Sequence, residues 1–131
     1  MIRGTTAQFK FKIPYKKNEL VWATIKFWQP GNTGTLEAPL PITKKLSDCT
    51  AADDSDVLCI SLTSKETLRF SDKFKAKAQL RSQATDGTVF ASHEQIISVY
   101  PINDEILKDD DTPMPGANEE GWIILDGETI L

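Results

Sequence analysis

The chain has 131 residues, of which 40% are hydrophobic and 26% are charged, and its formal net charge is -4. This composition predicts one domain with a hydrophobic core, and no apolar run approaches the roughly 18 residues of a membrane-spanning helix. One histidine, His93, and two cysteines, Cys49 and Cys59, are too few for a multi-histidine metal centre or a zinc site. We therefore expect no enzyme, no bound metal and no cofactor.

Alternation of apolar and polar residues is the main pattern in the first hundred residues. Phe9, Phe11 and Ile13 alternate with polar residues until Pro14, and similar stripes recur along the chain. The predicted strands cover residues 8–13, 21–28, 58–62, 73–81, 88–91 and 95–100. Such short strands separated by turns predict an all-β fold, an antiparallel β-sandwich. Asp86-Gly87 is a strong signal for a hairpin turn.

The side chains that share one parity within each strand are predicted to form the core. They are Phe11, Val21, Ile25, Phe27, Ile60, Leu62, Phe74, Ala78, Leu80 and Ile97. Ser64 is predicted to cap a single helical turn that ends near Phe70, and a second short helix is predicted at residues 103–108. Residues 31–52 contain prolines and glycines and are predicted to form a long excursion with one irregular strand.

The charge is unevenly distributed. Residues 1–83 have a formal charge of +6, whereas residues 84–131 have a charge of -10. The lysines of the basic part alternate along strands, which predicts a solvated sheet face and no nucleic-acid binding. The acidic runs at residues 53–56 and 109–111 lack the spacing of a calcium loop and are interpreted as solvated turns or linker. We interpret the two cysteines as free thiols, with a disulfide between them as the alternative.

Residues 1–101 are predicted to form the β-sandwich domain, and residues 102–131 an acidic linker followed by a C-terminal arm. The apolar end of this arm is expected to dock as a strand on a partner subunit, with docking on its own domain as the alternative. Trp22 and Trp28 lie on the parity opposite to the apolar stripe, so both faces of their strand are expected to be covered. Internal burial, a protein interface and a sugar ligand are all compatible with this pattern. The candidate partner-binding residues are Trp22, Trp28, Trp122, Ile123, Ile124 and Leu125.

Three segments together carry a family resemblance. They are the opening Ile2-Arg3-Gly4-Thr5-Thr6, the following Phe9-Lys10-Phe11-Lys12-Ile13-Pro14, and the later Glu66-Thr67-Leu68-Arg69-Phe70. Over residues 2–107 the chain resembles small immunoglobulin-like proteins encoded in tail and baseplate modules of phages and prophages of Gram-positive hosts. It is similar, more loosely, to the N-terminal sandwich of baseplate upper proteins. The segment between Gln29 and Val57 is longer than this resemblance leads us to expect.

The resemblance implies an immunoglobulin-like sandwich and a non-enzymatic virion structural protein of a bacteriophage, in the tail, the baseplate or the capsid. Its expected partners are other virion structural proteins, with several copies in each particle, and its expected location is the virion, assembled in the host cytoplasm. No nucleic acid and no membrane are expected as partners. The alternative function is a carbohydrate- or host-surface-binding module that uses Trp22, Trp28 and residues 31–52.

Overall fold

The computed structural model describes residues 1–101, Ile123–Asp126 and Thr129–Ile130, and this part of the chain is built mostly from β-strands. The strands are β1 (Ala7–Lys12), β2 (Leu20–Trp28), β3 (Ile42–Lys45), β4 (Val57–Leu62), β5 (Ala76–Ala84), β6 (Val89–Ser92), β7 (Gln95–Ile97), β8 (Ile123–Asp126) and β9 (Thr129–Ile130). The helical elements are α1 (Ser64–Thr67) and two 3-10 turns, Lys17–Glu19 and Leu46–Asp48. The predicted all-β class is therefore confirmed. The helix predicted at residues 103–108 lies outside the described residues.

The strands form two sheets. One sheet has three strands in the order β4-β1-β8, and the other has six strands, with β3-β2-β5-β6-β9 in order and β7 paired with β5. The pairing of β1 with β8 is parallel, whereas the other pairs between these strands are antiparallel. The 31–52 excursion contributes β3, which pairs with β2 through Thr24–Phe27, as the prediction of one strand in this region required.

Period-two alternation places one side of each sheet in a common core. In β1, Ala7, Phe9 and Phe11 are fully buried, while the side chains between them are half-buried or exposed. The two sheets meet directly, because the ring of Phe9 in one sheet lies 5.0 Å from the ring of Phe27 in the other, centroid to centroid. Of the predicted core, Phe11, Ile25, Phe27, Ile60, Leu62, Ala78, Leu80 and Ile97 are buried.

The prediction that Val21 belongs to the core is wrong. Its side chain is 59% exposed, whereas Leu20 before it and Ala23 two residues after it are buried. The register of β2 against β5 shifts between Leu20 and Trp22, so Val21 is an extra residue without a partner in β5. A bulge of this kind advances the alternation by one position, and the sequence pattern alone does not reveal it.

The prediction for Phe74 is also wrong, since this side chain is 59% exposed. The alternation from Lys73 to Arg81 predicts one continuous strand, but β5 begins only at Ala76. Phe74 lies in the turn before β5, where its backbone carbonyl accepts a hydrogen bond from the side chain of Gln29 at 2.8 Å. Outside a strand, parity no longer determines which way a side chain faces.

The N-cap of helix α1 lies one residue earlier than predicted. Thr63, and not Ser64, is the N-cap: its Oγ1 accepts a hydrogen bond from Glu66 N, and Glu66 Oε1 accepts one from Thr63 N at 3.0 Å. This reciprocal pair is a capping box. Lys44 on β3 extends it, because its ammonium lies 2.9 Å from the Glu66 carboxylate. The helical turn is thereby fixed to the edge of the larger sheet.

These bonds predict an acid-sensitive contribution to stability. Burial raises the pKa of Glu66, but hydrogen bonds from Thr63 and the Lys44 ammonium outweigh it and bring the pKa below 4.5. Since the folded-state pKa is lowered, the contribution is present above the unfolded-state pKa and is lost as the pH falls through the folded-state value. We therefore expect Glu66→Gln to be less stable than the parent protein at pH 7 in urea unfolding, with the difference shrinking towards pH 3.

The control for this prediction is Lys65→Gln, which removes a charge from an exposed position of the same helix. We expect this substitution to change stability little. A destabilisation by Glu66→Gln that is the same at pH 7 and at pH 3 would show that the Glu66 carboxylate contributes nothing through its charge.

Candidate binding face

The outer face of the six-stranded sheet carries the most unusual surface of the described chain. Alternation in β2 turns Trp22, Thr24, Lys26 and Trp28 away from the core. Pairing with β5 places Gln83 beside Trp22, and on the other end of the strand Trp28 has Lys77 as its partner. We call this surface the outer face. It comprises Trp22, Thr24, Lys26 and Trp28 of β2, Thr43 and Lys45 of β3, Lys77, Gln79, Arg81 and Gln83 of β5, Val89 and Ala91 of β6, and Ile96 of β7.

Trp22 is held in a fixed orientation at one end of the outer face. Its ring is half-buried, and its Nε1 donates a hydrogen bond to Gln83 Oε1 at 3.0 Å. The exposed side chain of Val21 lies beside it, as a result of the bulge in β2. An open groove of about 370 Å³ runs along this end. It is lined by Val21, Trp22, Ala23, Thr24, Lys45, Leu46 and Ser47.

Trp28 lies at the opposite end, near a second apolar group. The ammonium of Lys26 lies 5.3 Å from the centroid of the Trp28 ring, a cation–π contact. Lys77 of β5 pairs with Trp28 of β2 on one side and with Ile96 of β7 on the other. The side chain of Ile96 is 63% exposed. Each end of the outer face therefore combines a tryptophan with an exposed aliphatic side chain.

Basic residues occupy the area between and around the tryptophans. Lys26, Lys45, Lys77 and Arg81 all belong to the outer face. Glu94, in the bend between β6 and β7, forms a salt bridge with Lys77 at 3.0 Å. These four cations outnumber the Glu94 carboxylate and give the outer face a local positive charge, although the whole chain carries a formal charge of -4.

The predicted partner-binding residues do not all lie together. Trp22 and Trp28 share the outer face, whereas Ile123 and Leu125 lie on β8, in the other sheet, with 7% and 5% of their surface exposed. Ile123 pairs with Phe9 and Leu125 with Phe11 of the same chain. The segment thus docks within its own chain in this structure, and at β1 instead of at the tryptophans. Trp122 and the side chain of Ile124 lie outside the described residues.

A cavity of about 200 Å³ adjoins this strand. It is lined by Met1, Ile96, Ile97, Ser98, Tyr100, Ile123 and Leu125. The N-terminal segment closes part of it, because the Met1 amine donates a hydrogen bond to the Ser98 carbonyl at 3.0 Å. Burial lowers the pKa of this amine to about 6. Met1 and Ser98 are already hydrogen-bonded to each other, and Ile97, Ile123 and Leu125 are buried in the core, so we assign no chemistry to the cavity.

The residues with catalytic potential are dispersed. His93 is exposed, and both cysteines are free thiols, so the disulfide alternative does not apply. Burial, with Asp48 close by, raises the pKa of Cys49 to about 11, which keeps this thiol protonated at neutral pH. Within the described ranges no group of three or more His, Cys, Asp or Glu side chains is arranged to hold a metal ion. No helix in that part of the chain has the length and apolar character needed to cross a membrane.

Hydrogen bonds join the opening segment of the chain to α1. Gly4 N donates a hydrogen bond to Thr67 Oγ1 at 3.0 Å, and that hydroxyl donates to the carbonyl of Thr5 at 2.7 Å. Arg3 donates from Nη2 to the Leu68 carbonyl at the end of α1. Thr67 is fully buried. These motif residues therefore join the N-terminal segment to α1, which is a structural contact.

The chain matches no protein-family model. It likewise matches no curated protein.

Sequence reasoning found the tryptophans of the outer face but missed their surroundings. Parity within β2 was sufficient to place Trp22 and Trp28 together. Val21 and Ile96 were missed, because one follows from the bulge and the other from the pairing of β7 with β5. The alternating charges of β5 predict a solvated face, and only the strand order places Lys77 and Arg81 next to the residues of β2.

Proposed function

We propose that this protein is a non-enzymatic structural protein of a bacteriophage virion that binds other tail or baseplate subunits through the outer face. We further propose that its two sheets form an immunoglobulin-like β-sandwich, present in several copies in a particle assembled in the host cytoplasm. The resemblance of the opening and α1 segments to phage immunoglobulin-like proteins motivates the assignment. The single observation that supports it best is the outer face itself, with two half-buried tryptophans among exposed aliphatic and basic side chains.

The chemistry of the outer face suits a protein partner. Tryptophan and arginine are enriched among the residues that contribute most to binding energy at protein interfaces. The hydrogen bond from Trp22 to Gln83 already fixes the ring, so less side-chain entropy is lost when a partner covers it. Val21 and Ile96 add apolar surface at the two ends, which is the kind of area that gains free energy when water is removed.

The charges indicate the character of that partner. Lys26, Lys45 and Arg81 would repel a second copy of the same face, so a direct face-to-face contact between two copies is disfavoured. A partner surface that presents carboxylates opposite these cations would be attracted. We therefore expect the binding to be heterologous and to weaken as the salt concentration rises.

A charge reversal on the outer face tests the proposal. We expect Lys26→Glu combined with Arg81→Glu to weaken binding to the other structural proteins of the same particle at least about tenfold, which corresponds to about 1.4 kcal/mol. Both side chains point away from the core, so the melting temperature should change little. Surface plasmon resonance with the purified tail and baseplate subunits measures the affinity, and mass spectrometry of purified particles checks that the chain is a virion component.

The matched control reverses two lysines elsewhere. Lys12 is exposed at the end of β1 in the other sheet, and Lys65 is exposed on α1. Lys12→Glu combined with Lys65→Glu changes the net charge by the same amount and should leave binding within about twofold of the parent protein. If both double variants bind equally, net charge and not the outer face controls the interaction.

The runner-up function is a carbohydrate- or host-surface-binding module. The half-buried rings of Trp22 and Trp28 favour it, because sugar rings stack on accessible aromatic side chains. Two contacts argue against it: Trp22 Nε1 already donates to Gln83, and the Nε2 of Gln79 donates to the Ser92 carbonyl at 2.9 Å. Calorimetry with purified host cell-wall polysaccharide separates the functions. Binding that Trp28→Ala abolishes, with no affinity for particle subunits, would establish the module.

A further inference from the structure

Strand β8 is a short edge strand. It has four residues, lies at the edge of the three-stranded sheet and pairs in parallel with β1. Parallel pairs are slightly less stable per residue than antiparallel ones. Its described anchors are Ile123 and Leu125, which enter the core opposite Phe9 and Phe11. The position that β8 fills is therefore an open sheet edge with two apolar sites.

Strand β9 belongs to the same unit. Only two residues separate it from β8, yet it pairs with Ala91 and Ser92 of β6 in the six-stranded sheet. The final strands thus join the β1 edge of one sheet to the β6 edge of the other. Because only two residues join them, we expect β8 and β9 to dock or leave together.

The number of residues before β8 is large enough for β8 to reach another copy of the chain. Twenty-one residues, numbers 102–122, separate Pro101 from Ile123. A chain of this length spans up to roughly 70 Å when extended. A domain of about 100 residues has a radius of gyration of about 13 Å, so this reach exceeds its diameter about twofold. The β1 edge of a neighbouring copy is within that distance.

We propose that the β8–β9 unit is exchanged between copies of this chain, so that Ile123–Asp126 of one copy pairs with β1 of another. Exchange keeps every contact of the unit, since the acceptor site is the same in both copies, and domain swapping is for this reason a low-cost route to association. Whether the unit pairs with β1 of its own chain or with β1 of another copy depends on the effective concentration of each β1 edge. Residues 102–122 connect the unit to its own domain, and the effective concentration that such a connection provides falls as it becomes longer. Copies held together in one particle present further β1 edges that compete for the unit.

The inference rests on the proposed function in one respect: a multi-copy particle is what brings the copies close together. The exchange itself is a property of the purified chain. It can therefore be tested without any other virion protein, and its failure leaves the outer-face experiments unaffected.

A pair of cysteine variants tests the exchange. Lys12 and Asp126 are directly paired positions of β1 and β8. In a background with Cys49→Ser and Cys59→Ser, the Lys12→Cys variant is prepared with nitrogen-15 and the Asp126→Cys variant with nitrogen-14. The two are mixed at about 100 µM, unfolded in urea, refolded together and oxidised. We expect mass spectrometry to show a disulfide-linked dimer of one heavy and one light chain in at least a tenth of the molecules.

Two controls make every outcome decisive. The double variant with both new cysteines in one chain reports whether the paired positions are close enough to cross-link at all. Lys12→Cys mixed with Glu37→Cys, an exposed loop position that is not paired with β1, reports random oxidation. We expect the double variant to close its internal disulfide, since positions 12 and 126 are paired. Heavy–light dimers at the level of the random control, with that internal disulfide formed, would overturn the proposal.

Discussion

Replacement of Phe27 by alanine is expected to lower the free energy of unfolding by about 3–5 kcal/mol, the range found for large aromatic side chains in cores. Phe27 is 1% exposed and its ring lies 5.0 Å from that of Phe9 in the other sheet. Truncation removes this contact and leaves a cavity between the sheets that neighbouring strands cannot close, because their backbones are fixed by pairing on both sides of β2. Urea unfolding followed by tryptophan fluorescence measures the loss.

Phe74→Ala is the matched control, since it removes the same atoms from a side chain that is 59% exposed. We expect it to cost less than about 1 kcal/mol. Equal losses for the two variants would show that Phe74 packs against the protein and that the boundary of β5 is misplaced.

The second large effect is expected from Gln29→Leu. Gln29 is 2% exposed and its amide makes four hydrogen bonds. Nε2 donates to the carbonyls of Ser71 and Phe74, while Oε1 accepts from Ser71 N and from Asn32 Nδ2, at distances of 2.7–2.8 Å. The amide therefore ties the end of β2 to the turn before β5. Leucine has a similar size but satisfies none of these groups.

We expect Gln29→Leu to cost at least about 3 kcal/mol, because each buried group left without a partner costs about 1–3 kcal/mol. Gln79→Leu is the control: Gln79 is half-buried on the outer face, and its Nε2 donates one hydrogen bond, to Ser92. Its loss should be within about 1 kcal/mol. Chemical denaturation of both variants decides the matter, and similar midpoints would mean that water replaces the Gln29 amide.

Phe27→Ala and Gln29→Leu also bear on function. The outer face depends on β2 being in register with β5, since Trp22 is oriented by Gln83 and Trp28 lies beside Lys77. Gln29 follows directly after Trp28. A variant that loosens this end of β2 should therefore weaken the proposed subunit binding together with stability, whereas Lys26→Glu with Arg81→Glu should affect binding alone.

Features that depend on residues close together in the chain follow from the sequence alone. Alternation located β1 and most of β2, β4 and β5, because a period of two is a direct consequence of strand geometry. Asp86-Gly87 identified its hairpin, where Gly87 adopts a φ of +92° that favours glycine. The helical turn at residues 64–67 was also found, with its cap misplaced by one residue because Thr63 and Ser64 are both good caps.

Contacts between side chains that are distant in the sequence follow instead from the way the strands pair and pack. The bulge that exposes Val21 is a property of two paired strands, and no signal for it exists within β2 alone. An apolar segment such as Ile123–Leu125 must be covered, but its hydrophobicity does not specify the β1 edge over the tryptophan face. The outer face has the same origin: Trp28, Lys77 and Ile96 are far apart in sequence, and strand order alone makes them neighbours.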